Sequence, residues 1–138
     1  MMDMRSDPFV LLSEVNQASG FDRFAGVRLI SAGDGRAELA VTARPELLQH
    51  AGLLHPGVVG ALIDRACGFA AASLAGEVVT TQYSVRCYRP AAGRKFLVRA
   101  ELVKAGRRQL FATANLFVAD SSEESLIAGG DAVLLRVD

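Results

Sequence analysis

The sequence predicts an α+β fold in which a curved antiparallel sheet wraps around one long central helix. Three observations carry this. Residues 56–74 read PGVVGALIDRACGFAAASL, apolar on every side apart from Asp64 and Arg65. Two strand-like segments precede this stretch and four follow it, the strand-rich pattern with a segregated helix that marks α+β. The later strands are joined by short turns, which favour antiparallel neighbours. A helix without a polar face must be covered on most sides. One sheet covers part of it, so a second subunit is expected to cover the rest.

The elements follow in order. Residues 8–18 predict a short helix, with Asp7 as N-cap and Pro8 at its first position, ended by Gly20. Phe24–Ser31 reads as β, and Gly33-Asp34-Gly35 as a hairpin turn. Arg36–Thr42 alternates polar and apolar residues, as a half-buried strand does. Pro45–His50 reads as a turn or short helical link. Pro56 suits the first turn of the central helix, whose nineteen residues span about 28 Å at ~1.5 Å each. That approaches a bilayer thickness, but two central charges argue against a membrane span. Strands are expected over Glu77–Tyr88, Arg94–Lys104, Arg108–Ala119 and Ser125–Val137. Turns at Pro90–Gly93, Ala105-Gly106 and Asp120–Ser122 separate them. The 138 residues read as one domain, with residues 1–20 as an N-terminal helical extension.

Composition narrows the function. Hydrophobic residues make up 51% and charged residues 22%, which excludes intrinsic disorder. Fifteen basic and fifteen acidic residues give zero net charge, which argues against a nucleic-acid binder and favours self-association. The N-terminus carries Asp3 and Asp7, and its longest apolar run is Phe9–Leu12, so no secretory signal is read and a cytoplasmic protein is expected. Cys67 and Cys87 read as buried, reduced thiols. No His/Cys cluster has zinc spacing, and no metal is expected.

Asp64 demands an explanation. A buried carboxylate needs a partner or a raised pKa, and Arg65 lies off its helix face. Gly57, Gly60, Ala61, Gly68 and Ala71 share that face and are all small. They leave room beside Asp64 for another backbone or for a ligand. An Asp at a solvent-facing edge, or paired with a strand arginine, is the bland alternative. His55 ends the loop before the helix, with Gln49 and His50 on the same loop. Each alone reads as ordinary loop structure.

Together, Gln49 to Asp64 read QHAGLLHPGVVGALID. This segment resembles the active-site segment of the hotdog-fold acyl-CoA thioesterases, in particular the group that includes the phenylacetate-degradation thioesterases. Gln49, Gly52, His55, Gly57 and Asp64 match that pattern, and VVTTQYSVRCYRPA at Val78–Ala91 looks like the family's strand after the helix. The resemblance covers roughly Phe21 to Val137. It implies a hotdog fold and hydrolysis of an acyl-CoA thioester to free acid and coenzyme A, with coenzyme A as part of the substrate and no separate cofactor.

The resemblance also implies roles. Asp64 would be the general base that activates water, or the nucleophile that forms a mixed anhydride. Gln49 would position the water or the thioester carbonyl, and His55 would orient the loop and carbonyl. An amide at the helix start would polarise the thioester oxygen. The family's glycine after the histidine is Pro56 here, which has no N–H, so the amide falls to Gly57, or to Val58. The family's site lies between subunits, and Thr80, ahead of Thr81, aligns with a hydroxyl supplied by the partner. A homodimer is implied, and beyond it a homotetramer. Leu53, Leu54, Phe69 and Leu74 are candidates for an acyl pocket or for plain core.

Residues 86–108 hold eight basic side chains and one acidic one. Arg89, Arg94, Lys95, Arg107 and Arg108 at strand ends and turns are candidates for one surface binding the phosphates of coenzyme A. A solvated strand face is the alternative. Nucleic acid fits less well, because aromatic interleaving is absent and Phe96 and Phe111 read as core. Two rival functions remain: a dehydratase or hydratase on the same fold, and a non-catalytic acyl-CoA-binding or assembly module. The nine-residue spacing from His55 to Asp64 favours the thioesterase over the first. Pro56 is the best support for the second.

Overall fold

The computed structural model describes residues 7–137. The first six residues of the predicted N-terminal extension, and Asp138, lie outside the described residues. Helix α1 (Pro8–Ala18) starts as expected, with the Asp7 carboxylate accepting from the Phe9 amide at 2.8 Å. Gly20 does not end it. Ser19 is both the C-cap of α1 and the N-cap of a second helix, α2 (Gly20–Ala25), its hydroxyl accepting from the Asp22 amide at 3.2 Å. The first part of the segment read as a strand from Phe24 is therefore helical. Gly26, left-handed at φ 71°, terminates α2, and β1 (Arg28–Gly33) begins two residues later.

Asp34 (φ 54°) and Gly35 (φ 78°) turn the chain into β2 (Arg36–Thr42), the two positive φ angles that a tight hairpin requires. A 3₁₀ turn at Pro45–Leu47 leads through a loop to the central helix α3 (Pro56–Ala75). Four strands follow: β3 (Val78–Cys87), β4 (Lys95–Ala105), β5 (Gln109–Val118) and β6 (Ser125–Arg136).

All six strands form one antiparallel sheet in the order β1-β2-β4-β5-β6-β3. The Pro90–Gly93 segment is thus not a hairpin turn. It carries the chain across the sheet, because β3 pairs with β6 while β4 pairs with β2. Irregular register at Leu29/Ser31, Thr80/Gln82, Leu102/Lys104 and Leu116/Phe117 marks bulges, which bend strands and increase twist. The curved sheet packs on α3. Small residues on its inner side (Ala100, Ala112, Ala114, Ala132) let α3 approach closely, and Leu39, Phe96, Val98, Leu110 and Leu134 complete the buried face. Phe96 is core as expected. Phe111 is 37% exposed, because its buried neighbours Leu110 and Ala112 put it on the outer face.

α3 is long and apolar enough to cross a membrane, and most of it is buried by the sheet. The Ser73 hydroxyl accepts from the Gly35 amide at 2.9 Å and donates to the Ala70 carbonyl at 2.8 Å, which pins the first hairpin to the helix. The strip Ala61–Asp64–Gly68–Ala72 stays half-exposed. Part of the coverage expected from a second subunit comes from α1, which packs on both β1 and α3.

Candidate active site

The start of α3 is closed by its own cap. His55 is the N-cap, and its Nδ1 accepts from the Gly57 amide at 2.8 Å. An imidazole accepting at Nδ1 carries its proton at Nε2, so His55 presents an N–H donor away from the helix. Gly57 permits this arrangement: a Cβ there would stand 3.0 Å from His55 Nδ1. The Val58 and Val59 amides both point to the His55 carbonyl, at 2.9 and 3.0 Å. With no N–H on Pro56, every amide from Pro56 to Val59 is absent or engaged. The Gly57 amide expected to polarise a thioester oxygen is therefore held by His55, and Val58 offers no free substitute.

Gln49 shapes the preceding loop. Its Oε1 accepts from the Ala51 amide at 2.5 Å and from the Leu53 amide at 3.1 Å, and Gly52 takes the left-handed φ of 83°. The carboxamide oxygen is spent on the loop, and the NH₂ makes no hydrogen bond among the described residues. Leu54 is buried and Leu53 half-buried, and neither lines the groove described below.

Asp64 lies near the middle of the helix, its ninth residue, half-buried, and Thr80 Oγ1 donates to its Oδ1 at 2.7 Å. Its partner is thus a hydroxyl rather than a strand arginine. The resemblance implied a hydroxyl arriving from a second subunit, but the Thr80 hydroxyl reaches Asp64 within one chain. The bulge at Thr80/Gln82 explains this. It rotates Thr80 toward α3, while Thr81 turns away and donates to the Val133 carbonyl at 3.1 Å.

Asp64 and Thr80 open onto a groove of about 650 Å³ between α1, α3 and β3. Phe69 and Leu74 line it. Of the glycines on the Asp64 face, a Cβ on Gly60 would stand 3.5 Å from the Tyr83 ring, whereas a Cβ on Gly68 would meet nothing within 4 Å.

Beside the site, sequence reasoning missed Asp22. It is 1% exposed and receives both Arg65 Nε (2.8 Å) and Nη2 (2.6 Å), together with Asn16 Nδ2 at 2.9 Å. Arg65 stacks over Phe69 at 4.5 Å from the ring centroid. Asn16 also donates to the Val27 carbonyl and accepts from the Leu29 amide, so one cluster ties α1, α2, β1 and α3 together. No motif signals a pair 43 residues apart.

One cysteine differs from expectation. Cys67 is buried, but Cys87 on β3 is exposed, and both thiols are free. Burial, with the Asp64 and Asp131 carboxylates nearby, pushes the Cys67 thiol up to about 12. Cys67 is therefore a protonated, inert thiol at neutral pH. In titration with a disulfide reagent at pH 8, at most one thiol per chain is expected to react before unfolding. The second should appear only in denaturant.

The basic candidates do not form one surface. Arg89, Arg94 and Lys95 lie on or beside the β3–β4 link, which packs against the Gln49 loop through the Leu54 amide and the Ala91 carbonyl at 3.0 Å. Arg107 and Arg108 lie at the opposite end of β4. Ten steps of strand at about 3.3 Å put them roughly 30 Å away. Arg99, in the same run, is neutralised by Glu38 and Glu124, both at 2.6 Å.

A curved six-stranded antiparallel sheet around one long central helix is a hotdog fold. The chain belongs to the thioesterase superfamily, whose family model matches residues 51–125. It is 35% identical to a thioesterase family protein from Silicibacter pomeroyi, over 88% of this chain and 92% of that one, with a TM-score of 0.84. The PaaI protein from the phenylacetic acid degradation operon of E. coli shares the fold at 17% identity, covering 99% and 97% of the two chains with a TM-score of 0.87. Zebrafish thioesterase superfamily member 2 does so at 24% identity, covering 94% and 98%, with a TM-score of 0.81. No curated protein matches the sequence. Membership of the superfamily supports acyl-thioester hydrolysis as the class of reaction.

Proposed function

We propose that the protein is an acyl-CoA thioesterase that works as a homodimer, with each site built from two chains. One observation carries the reading: Asp64 and Thr80 are joined near the middle of the helix, while His55 caps its start and Gln49 lies in the loop before it. Nine helical residues separate His55 from Asp64, about 13 Å along the axis. A base must come within roughly 3 Å of the proton it removes, so one thioester cannot engage both groups of one chain. A second chain, turned by a two-fold axis, brings its Gln49 and His55 to the first chain's Asp64. The open edge of β3 supports that partner: it is the sheet's terminal strand, and Val79 and Tyr83 on it are each 50% exposed.

In this site Asp64 removes a proton from water as the water oxygen attacks the thioester carbonyl carbon. The thiolate of coenzyme A then leaves as the tetrahedral intermediate collapses. Alternatively Asp64 attacks directly, and water cleaves the resulting anhydride. Incorporation of ¹⁸O from labelled water into the Asp64 carboxylate separates the two. Thr80 fixes the carboxylate's rotamer. The partner's His55 donates its Nε2–H to the developing oxyanion in place of the family's amide, and Gln49 adds its NH₂. Arg89, Arg94 and Lys95, beside the Gln49 loop, receive the phosphates of coenzyme A. Among the described residues no carboxylate bridges their side chains. Arg107 and Arg108, at the other end of β4, are not part of that cluster. Assembly of two dimers into a tetramer, and a cytoplasmic location, belong to the same reading.

The test is thiol release from a panel of acyl-CoAs, with turnover expected on at least one member. The engaged first-turn amides favour one rival, a module that binds acyl-CoA without turning it over. Tight binding with no thiol release from any member would establish that rival instead. Hydration of an enoyl-CoA without thiol release would make it a hydratase.

A further inference from the structure

We propose that the groove between α1 and α3 holds the acyl group of the substrate, that this group is apolar and larger than acetyl, and that Gly68 sets how far it enters. The proposal rests on the acyl-CoA hydrolase reading above and adds the substrate class to it.

The groove begins where the chemistry would occur, at Asp64 and Thr80, and continues along α3 to Gly76. Twelve helical residues make that path about 18 Å long. Its volume, about 650 Å³, falls within the roughly 300–1,000 Å³ typical of small-molecule sites. Leu11 and Val15 of α1 form one wall, and Phe69 and Ala72 of α3 with Leu134 of β6 form the rest. Leu11 and Val15 are 45% and 48% exposed, an apolar surface that the fold itself does not bury.

The polar groups along the groove are already engaged. Arg65 is neutralised by Asp22, and the Ser73 hydroxyl is bonded at both its lone pair and its proton. Among the described residues, nothing between Asp64 and Glu77, at the far end, remains to pair with a charged acyl tail.

Gly68 lies four residues beyond Asp64, on the same face of the helix. Glycine inside a helix is a stability cost, and neither backbone nor packing demands it here. Its φ is not left-handed, and an added Cβ would meet no atom within 4 Å. What the missing side chain provides is room next to the carboxylate.

The experiment measures kcat/KM for acetyl-CoA and octanoyl-CoA in wild type, Gly68→Leu and Leu11→Trp. The wild type is expected to prefer octanoyl-CoA. In Gly68→Leu the octanoyl-to-acetyl ratio should fall roughly tenfold or more, the scale on which a pocket discriminates by a methylene or two. Leu11→Trp narrows the groove from the opposite, exposed wall and should lower the ratio in the same direction. It decides alone if Gly68→Leu does not fold. A ratio unchanged by the variants, or a wild type that turns over acetyl-CoA but not octanoyl-CoA, overturns the proposal and leaves the hydrolase reading standing. A wild type that turns over neither but releases thiol from another member of the panel overturns only the octanoyl preference stated here, and one that releases thiol from no member removes both readings.

Discussion

Asp64→Ala is expected to lower kcat for thiol release at least a hundredfold, within the range of ~10²–10⁴ for a positioned acid–base group. The substitution removes the carboxylate that faces the groove and receives the Thr80 hydroxyl. Among the described residues the other acidic side chain lining the groove, Glu77, stands thirteen residues further along the chain and cannot take its place. The fold should survive. Asp64 is only half-buried, and Thr80 is exposed, so water satisfies the freed hydroxyl. Asp64→Asn keeps the size of the side chain and an acceptor for Thr80 but cannot take a proton, so it should be as inactive as the alanine variant. Full activity in either would remove Asp64 from the mechanism.

The second large effect concerns stability. Asp22→Ala should destabilise the protein by about 3 kcal/mol, as expected when one partner of a buried ion pair is removed and the other is left uncompensated. Asp22 is 1% exposed and accepts from Arg65 and Asn16, while Arg65 keeps 27% of its side-chain surface and can recover some hydration. That partial access holds the figure at the lower end of the usual range. A loss of that size lowers the thermal midpoint by about 10 °C. Replacing Arg65 and Asp22 together by methionine and leucine should cost much less than Asp22→Ala alone, because no charge is stranded. Thermal unfolding of the variants checks both statements. A midpoint within a degree or two of wild type in Asp22→Ala would mean that the pair does not hold α2 against α3.

The central helix, the β1–β2 hairpin and the later strands were legible because their signals are local. A long apolar run broken only by Asp64 and Arg65, a Gly-Asp-Gly turn and an alternating polar and apolar pattern are all read directly from neighbouring residues. The α2 segment was not legible: at six residues it is too short to show helical periodicity, and Ser19 caps two helices at once. Strand order could not be read across Pro90–Gly93, since a short link fixes distance along the chain but not which edge the next strand joins. The candidate site was legible as a set of residues and illegible as an arrangement. The resemblance of the Gln49–Asp64 segment to a known family pointed to Gln49, His55 and Asp64. That the Gly57 amide is taken by His55, and that Thr80 serves its own chain, depends on rotamers and a bulge that no spacing encodes. The division of the basic cluster was available from the sequence, because the length of β4 alone keeps Arg94 and Arg108 apart.

The central claim is that each site joins Asp64 and Thr80 of one chain to Gln49 and His55 of another. The most direct measurement mixes two inactive variants, Asp64→Ala and the double variant Gln49→Ala/His55→Ala, under conditions that exchange subunits. In a two-fold dimer each mixed pair regains one intact site, so random pairing should restore about a quarter of wild-type activity. Activity in the mixture no greater than that of the separate variants, with subunit exchange verified, would contradict a site shared between chains.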